Sequence, residues 1–232
     1  MVEKTSTTRI QASKSINGNT TRKNIIRIQN ASLELLIGGP YTDIRGERHT
    51  YGHVALRIIK SNSEHIYDFG RYAGATGDFG AEGPGILRIW SGLPQYIAGE
   101  NSTGRQTHGF SYQITDQQAD QVNMYYKNIT QGLPITKERG EYMKEYRLTR
   151  NYHALTNNCT TISMDGALIA IPELAHDQAN FNEGRGLSFT EKAAAKLKGW
   201  PSRIFMPADL KAMLESTDKQ KPYLTQTYGN NK

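Results

Sequence analysis

The sequence predicts an α+β protein in which a small antiparallel sheet packs on a helix headed by the only cysteine. Three observations carry this. Residues 51–59 and 109–114 alternate apolar and polar positions, the period of strands with one buried face. Two capping boxes, Thr115-Asp-Gln-Gln118 and Ser188-Phe-Thr-Glu191, mark helix starts. Asn157-Asn-Cys159-Thr-Thr161 precedes an apolar run through Ile162, Ala167, Leu168 and Ile169, so Cys159 falls in the first turn of a further helix capped by asparagine.

Taken in order, residues 1–24 are rich in Thr, Ser, Asn and Lys without a sustained period, and read as a flexible polar arm. Residues 25–215 form the domain, and 216–232 a polar tail expected to fray. Within the domain, 25–28 and 31–38 are short apolar pieces, the second a strand stopped by Gly38-Gly39-Pro40. The strongest strand, 51–59, turns Val54, Leu56 and Ile58 to one face and His53, Ala55 and Arg57 to the other. Residues 60–65 read as a turn and 66–70 as the returning strand of an antiparallel hairpin, with Asp68 facing away from Tyr67 and Phe69. The glycine-rich residues 71–85 read as a long mobile loop near whatever site exists.

Strands follow at 86–90 and 109–114. The helix after Thr115 lines up Ala119, Val122, Tyr126 and Ile129 on one face. Residues 142–155 fit strand or helix equally. The cysteine helix ends at Ile171-Pro172, an alanine-rich helix follows Ser188, and Pro207 takes the first position of a last helix.

Net charge is +6 and the pI near 9.3, a balance that favours anionic partners. The basic residues are dispersed, and no nucleic-acid-binding motif accompanies them, so nucleic acid is not expected as a partner. One cysteine excludes a disulfide scaffold. No apolar run approaches the roughly 20 residues that span a bilayer, and the N-terminus lacks the apolar core of a secretory signal. The reading is a soluble protein that reaches any target outside the cytoplasm by another route.

A cysteine at a helix N-terminus sits where the dipole and orphan N–H groups favour a thiolate, although a lone cysteine is ordinarily just a small buried hydrophobe. Nucleophilic catalysis needs a base, and the base an orienting group. Of the six histidines, His53 heads the best strand, behind Gly52, and the next strand supplies Asp68 to hold the imidazole tautomer. His49 and His53 have the i, i+4 spacing of a helical metal pair, but Gly52 and the strand pattern argue against a helix there. No Walker or dinucleotide glycine loop and no G-x-S-x-G elbow occurs. No metal and no cofactor is called for.

The order of a Gly52-His53-Val54 strand, an Ile66-Tyr-Asp68-Phe-Gly70 strand and Asn157-Asn158-Cys159-Thr160-Thr161 opening a helix resembles the circularly permuted papain-like cysteine hydrolases related to NlpC/P60 peptidases. Phe205-Met-Pro-Ala-Asp209-Leu210 is similar to the Pro-x-Asp-Leu segment of bacterial members. The resemblance spans about 31–214 and implies Cys159 as nucleophile, His53 as general base and Asp68 as orienting group, with the Cys159 N–H in the oxyanion hole. Asn158 or His153 would supply a second oxyanion donor. His65 is the rival third member, since NlpC/P60 enzymes often place a second histidine there; the turn at 60–65 favours Asp68.

The implied activity is thiol-dependent amide hydrolysis through an acyl-enzyme, on peptidoglycan stem peptides, in a protein similar to antibacterial toxins delivered by type VI secretion. Such a toxin implies an immunity protein and a secretion carrier as partners. A lipid or acyl ester as substrate, or a non-catalytic basic adaptor with an inert cysteine, remain the alternatives.

Overall fold

The computed structural model describes residues 30–42, 46, 48–72 and 82–229. The polar arm, the apolar piece at 25–28 and most of the glycine-rich loop lie outside them.

The elements in chain order are strands β1 (Ala31–Gly38), β2 (Tyr41–Thr42), β3 (Arg48–His49), β4 (His53–Lys60), β5 (Ser63–Gly70) and β6 (Ile86–Trp90), then helix α1 (Leu93–Ser102) and β7 (Thr107–Ile114). Helix α2 (Asp116–Thr130), strands β8 (Ile135–Arg139) and β9 (Met143–Arg147), and helices α3 (Cys159–Ala170), α4 (Gln178–Phe181), α5 (Phe189–Leu197) and α6 (Pro207–Ser216) follow, with β10 (Leu224–Tyr228) last. Eight strands form one antiparallel sheet in the order β10-β7-β1-β4-β5-β6-β9-β8, while β2 and β3 pair separately. The protein is therefore α+β, and its sheet is larger than the small one expected.

Alternation in β4 sorts the sheet into two faces. Val54, Leu56 and Ile58 join Leu35, Ile37, Tyr67 and Phe69 under α2 and α3. Tyr67 stacks on Tyr126 of α2 with ring centroids 3.7 Å apart, and the Tyr126 hydroxyl donates to the Ile162 carbonyl at 3.2 Å. Helix α3 lies close on the sheet because Gly166 has no side chain. A Cβ there would stand 2.7 Å from both Leu56 Cδ2 and Tyr126 Oη. The opposite face buries Leu36, Ala55, Ile66 and Trp90 with Tyr96 of α1.

Three local expectations change. The turn after β4 is only Ser61-Asn62, so β5 begins at Ser63 and His65 lies within a strand, opposite Ile58. Residues 142–155 contain β9 and then a loop, so neither a continuous strand nor a helix. Helix α1 and strand β8 have no clear period in the sequence. The expected fraying tail is the third change, because β10 pairs with β7 at the sheet edge.

Its anchor is long-range. The Tyr228 hydroxyl donates to Glu34 Oε1 at 2.8 Å. Buried Glu34 is paired with Arg57 at 2.6 Å, and Arg57 with Glu64 at 2.6 Å. Gly109 makes room for this, since a Cβ would lie 2.0 Å from Glu34 Oε1. No helix among the described residues is long and apolar enough to cross a membrane.

Candidate active site

Cys159 is the first residue of α3. Asn158 caps the helix: its side-chain oxygen accepts from the Thr161 N–H at 3.0 Å, while the Asn158 N–H donates to Thr161 Oγ1 at 2.8 Å. The sequence reads Asn158 as the cap and as an oxyanion donor, and only the first holds. Its side-chain amide is spent on the buried carbonyls of Ala154 and Phe205, and its backbone N–H on Thr161. Asn158 therefore ties the head of α3 to the segment before α6 and has no donor left for a reacting oxygen. The N–H groups of Cys159 and Thr160 have no intrahelical acceptor, as in any helix's first turn.

His53 is the first residue of β4. Gly52 before it has φ +73°, and a Cβ there would stand 2.6 Å from the Gly38 carbonyl oxygen and 3.2 Å from Pro207 Cβ. Only glycine fits that turn. In the β4–β5 register Ala55 lies opposite Asp68, so Asp68 is the diagonal neighbour of His53 on the α1 face of the sheet. His53 Nε2 meets Asp68 Oδ1 at 2.6 Å. Because His53 stands at the very end of its strand, its ring also reaches the N-terminus of α3, which packs on the other face, and lies near enough to Cys159 for the two groups to bias each other's charge. With Nε2 held by Asp68, Nδ1 is the nitrogen left for the thiol.

All three side chains are buried, with 6% of Cys159, 8% of His53 and 3% of Asp68 exposed. Burial is the largest single influence on His53 and disfavours its charge. The Asp68 carboxylate and the Cys159 sulfur together outweigh it and raise the imidazole pKa to about 10. Burial likewise opposes a thiolate at Cys159, and the His53 charge overcomes it, helped by the Val54 backbone N–H, so the thiol pKa is lowered. Thr160 Oγ1, buried and without a well-aligned partner, adds to this from the next helix position. Asp68 is held below the usual carboxylate range against its own burial, first by His53 and then by the Tyr72 hydroxyl and Arg88. The arrangement favours a thiolate–imidazolium pair backed by a carboxylate.

The two other candidates lie elsewhere. His65 is three residues from Asp68 along β5, roughly 10 Å at strand rise, and its odd position points it to the opposite face beside Tyr67. Asp68 is thus the partner of His53, but because of strand parity and not because a turn removes His65. His153 Nδ1 accepts from the Leu155 N–H at 3.3 Å and sits 2.9 Å from Thr156 Oγ1, and Nε2 faces Glu82 at 3.7 Å. Through these contacts it shapes the loop before α3. Asp209, in the segment similar to Pro-x-Asp-Leu, is fully buried. It accepts from the N–H groups of Gly184 (2.6 Å) and Arg185 (3.1 Å) and from Arg185 Nη1 (2.9 Å), so its task is to hold that loop.

Three residues escaped the sequence reading. Trp90 Nε1 donates to Asp68 Oδ2 at 3.2 Å, the Tyr72 hydroxyl donates to Asp68 Oδ1, and Arg88 covers the Tyr72 ring with its guanidinium 3.5 Å from the centroid. Only Tyr72 left a signal, an aromatic hydroxyl four residues after Asp68 with a glycine between them. Among the described residues no group of three or more His, Cys, Asp or Glu side chains is arranged to hold a metal ion.

Searches of family models, of curated proteins and of solved structures return no match to this chain. The functional reading therefore rests on the geometry and on the motif resemblance.

Proposed function

We propose that this protein is a papain-like cysteine hydrolase of the permuted NlpC/P60-related type, cleaving an amide bond through an acyl-enzyme. The observation that carries the reading is His53 set between Cys159 and Asp68, with Nε2 held by the carboxylate and the other ring nitrogen left for the thiol. The Cys159 thiolate attacks the amide carbon, and the backbone N–H at the head of α3 is the donor nearest the developing oxyanion. The imidazolium gives its proton to the leaving amine, which departs as the thioester forms. Neutral His53 then takes a proton from water. The resulting hydroxide attacks the thioester carbon, and the thiol leaves with the acyl group released as a carboxylic acid. Asp68 keeps the Nε2 tautomer throughout and stabilises the charge on the ring.

Peptidoglycan stem peptides are the favoured substrate, in keeping with the +6 charge and an anionic wall. By its resemblance to type VI secretion effectors, the protein acts as an antibacterial toxin carried to a target periplasm, with an immunity protein as its inhibitor. The closeness of His53 to Cys159, which lowers the thiol pKa, speaks for an enzyme over an adaptor with an inert thiol.

One observation favours an acyl ester instead. Phe189, Ala193 and Leu197 form an exposed stripe at i, i+4, i+8 of α5, with Phe189 87% and Leu197 90% exposed. The helix bearing them joins the site's neighbourhood through the Tyr51–Glu191 hydrogen bond and a cluster with Leu155.

The test is digestion of purified peptidoglycan followed by mass spectrometry of the soluble fragments. New peptide termini from the wild type, absent with Cys159→Ala and His53→Ala, support the peptidase. Turnover of an acyl ester in lipid vesicles with intact peptidoglycan moves the assignment to the ester. A thiol that reacts no faster than free cysteine, with neither substrate cleaved, overturns the enzyme.

A further inference from the structure

Asp68 has more partners than a triad requires, and the way one of them arrives is unusual. Tyr72 lies beyond the end of β5, four residues after Asp68, yet its ring folds back along the strand and its hydroxyl returns to Asp68 Oδ1, the oxygen that also holds His53 Nε2. The same hydroxyl is 3.3 Å from His53 Nε2, and the two rings meet edge-on with centroids 6.3 Å apart.

The path back is open because residue 70 is glycine. A Cβ at Gly70 would lie 2.9 Å from Tyr72 Cε2 and Cζ, inside any ordinary contact. The ring is then pressed down from above by Arg88, which stands opposite Asp68 in the β5–β6 register and opposite Glu145 in the β6–β9 register. Instead of pairing directly with Asp68, the Arg88 guanidinium lies 3.5 Å from the Tyr72 centroid and bonds Glu145 Oε2 at 2.9 Å. Trp90 holds the other carboxylate oxygen. One edge of Tyr72 faces solvent, 36% of the residue being exposed, while Asp68 behind it is 3% exposed. Burial of its hydroxyl and the Asp68 charge push the phenol well above its usual pKa, so it remains a donor across the working range.

We infer that Tyr72 is a positioning residue of this site: folded back over Gly70 and clamped by Arg88, it fixes the Asp68 carboxylate in the orientation that aligns His53 with Cys159 and shields that pair from bulk water. The inference rests on the cysteine hydrolase reading. A donor on Oδ1 also drains charge from Asp68, which by itself weakens the carboxylate's hold on the imidazolium. Positioning and charge drainage therefore predict opposite signs when the hydroxyl is removed.

The experiment is the pH dependence of Cys159 alkylation by iodoacetamide in the wild type, Tyr72→Phe, Gly70→Ala and the double variant, with melting temperatures taken alongside. Tyr72→Phe should move the acid limb to higher pH and cut the rate on that limb about three- to tenfold, the effect of one hydrogen bond. Gly70→Ala keeps the hydroxyl but displaces the ring, and should move the limb the same way. The double variant should be no worse than the poorer single one. A limb that stays in place or moves to lower pH in Tyr72→Phe overturns the inference, as do additive effects in the double variant. A purely structural role would lower the melting temperature without moving the limb. If Tyr72→Phe does not fold, the Gly70→Ala limb decides alone. A wild-type thiol with no acid-shifted limb instead removes the hydrolase reading itself.

Discussion

His53 Nε2 lies 2.6 Å from Asp68 Oδ1 on the neighbouring strand, and this single contact assigns the roles of both ring nitrogens. In the proposed reaction the proton on Nε2 belongs to the carboxylate side, which leaves Nδ1 to exchange a proton with Cys159. The strands bring this about by parity, and the end position of His53 lets the same ring meet a helix packed on the other face.

The first consequence is a reactivity profile. Cys159 should alkylate rapidly well below the ordinary cysteine pKa of about 8.5, because the His53 charge lowers its thiol pKa. His53→Ala removes that charge but leaves the burial that opposes the thiolate, so its limb should move to or above the ordinary value. Turnover has a second limit. It needs the imidazolium as acid, and the His53 pKa is raised to about 10, so turnover should fall as pH rises through that value while alkylation persists. Initial rates between pH 4 and 11, as an approximate range, check both limbs.

Asp68→Asn keeps the shape and removes the charge. The imidazolium loses its principal electrostatic support, the His53 pKa falls, and burial acts unopposed on that side. Turnover at neutral pH should drop roughly 10²–10⁴-fold. His65→Ala should leave it unchanged, since His65 faces the other side of the sheet. Steady-state kinetics on the two variants separates them.

Asn158→Ala removes the cap of α3 and strands the buried carbonyls of Ala154 and Phe205. A lost cap costs about 0.5–2 kcal/mol, and the stranded acceptors add to it. Urea denaturation should show a loss at or above the upper end of that range. The acid limb of Cys159 should move to higher pH as the first turn loosens.

Asp209→Ala should destabilise by about 1–3 kcal/mol, because it strands the buried Gly184 N–H and the part-buried Arg185 N–H, while the Arg185 guanidinium keeps the Phe181 carbonyl and Glu183. Asp209→Asn, which retains an acceptor, should recover part of this. Neither should shift the Cys159 limb in the protein that remains folded. Thermal melts together with alkylation of the folded fraction make the test.

By itself the sequence determined the features that local chemistry writes into short spans. The capping residues around Cys159 place it at a helix head. Period two in 51–59 sets His53 opposite the apolar face, and the hairpin that follows brings Asp68 beside it. Tertiary structure alone decided which other groups complete the site. Asn158 reads as a donor until Ala154 and Phe205, the latter 47 positions away, claim its amide. His65 reads as turn until pairing with Ile58 extends β5. Trp90 reaches Asp68, and Arg88 the Tyr72 ring, only because β6 lies against β5, and Leu224–Tyr228 becomes a strand only because the edge of β7, far earlier in the chain, accepts it. Periodicity reports which face a residue occupies; the partner it meets there is set by chain segments far away, whose approach costs loop entropy that only the assembled core repays.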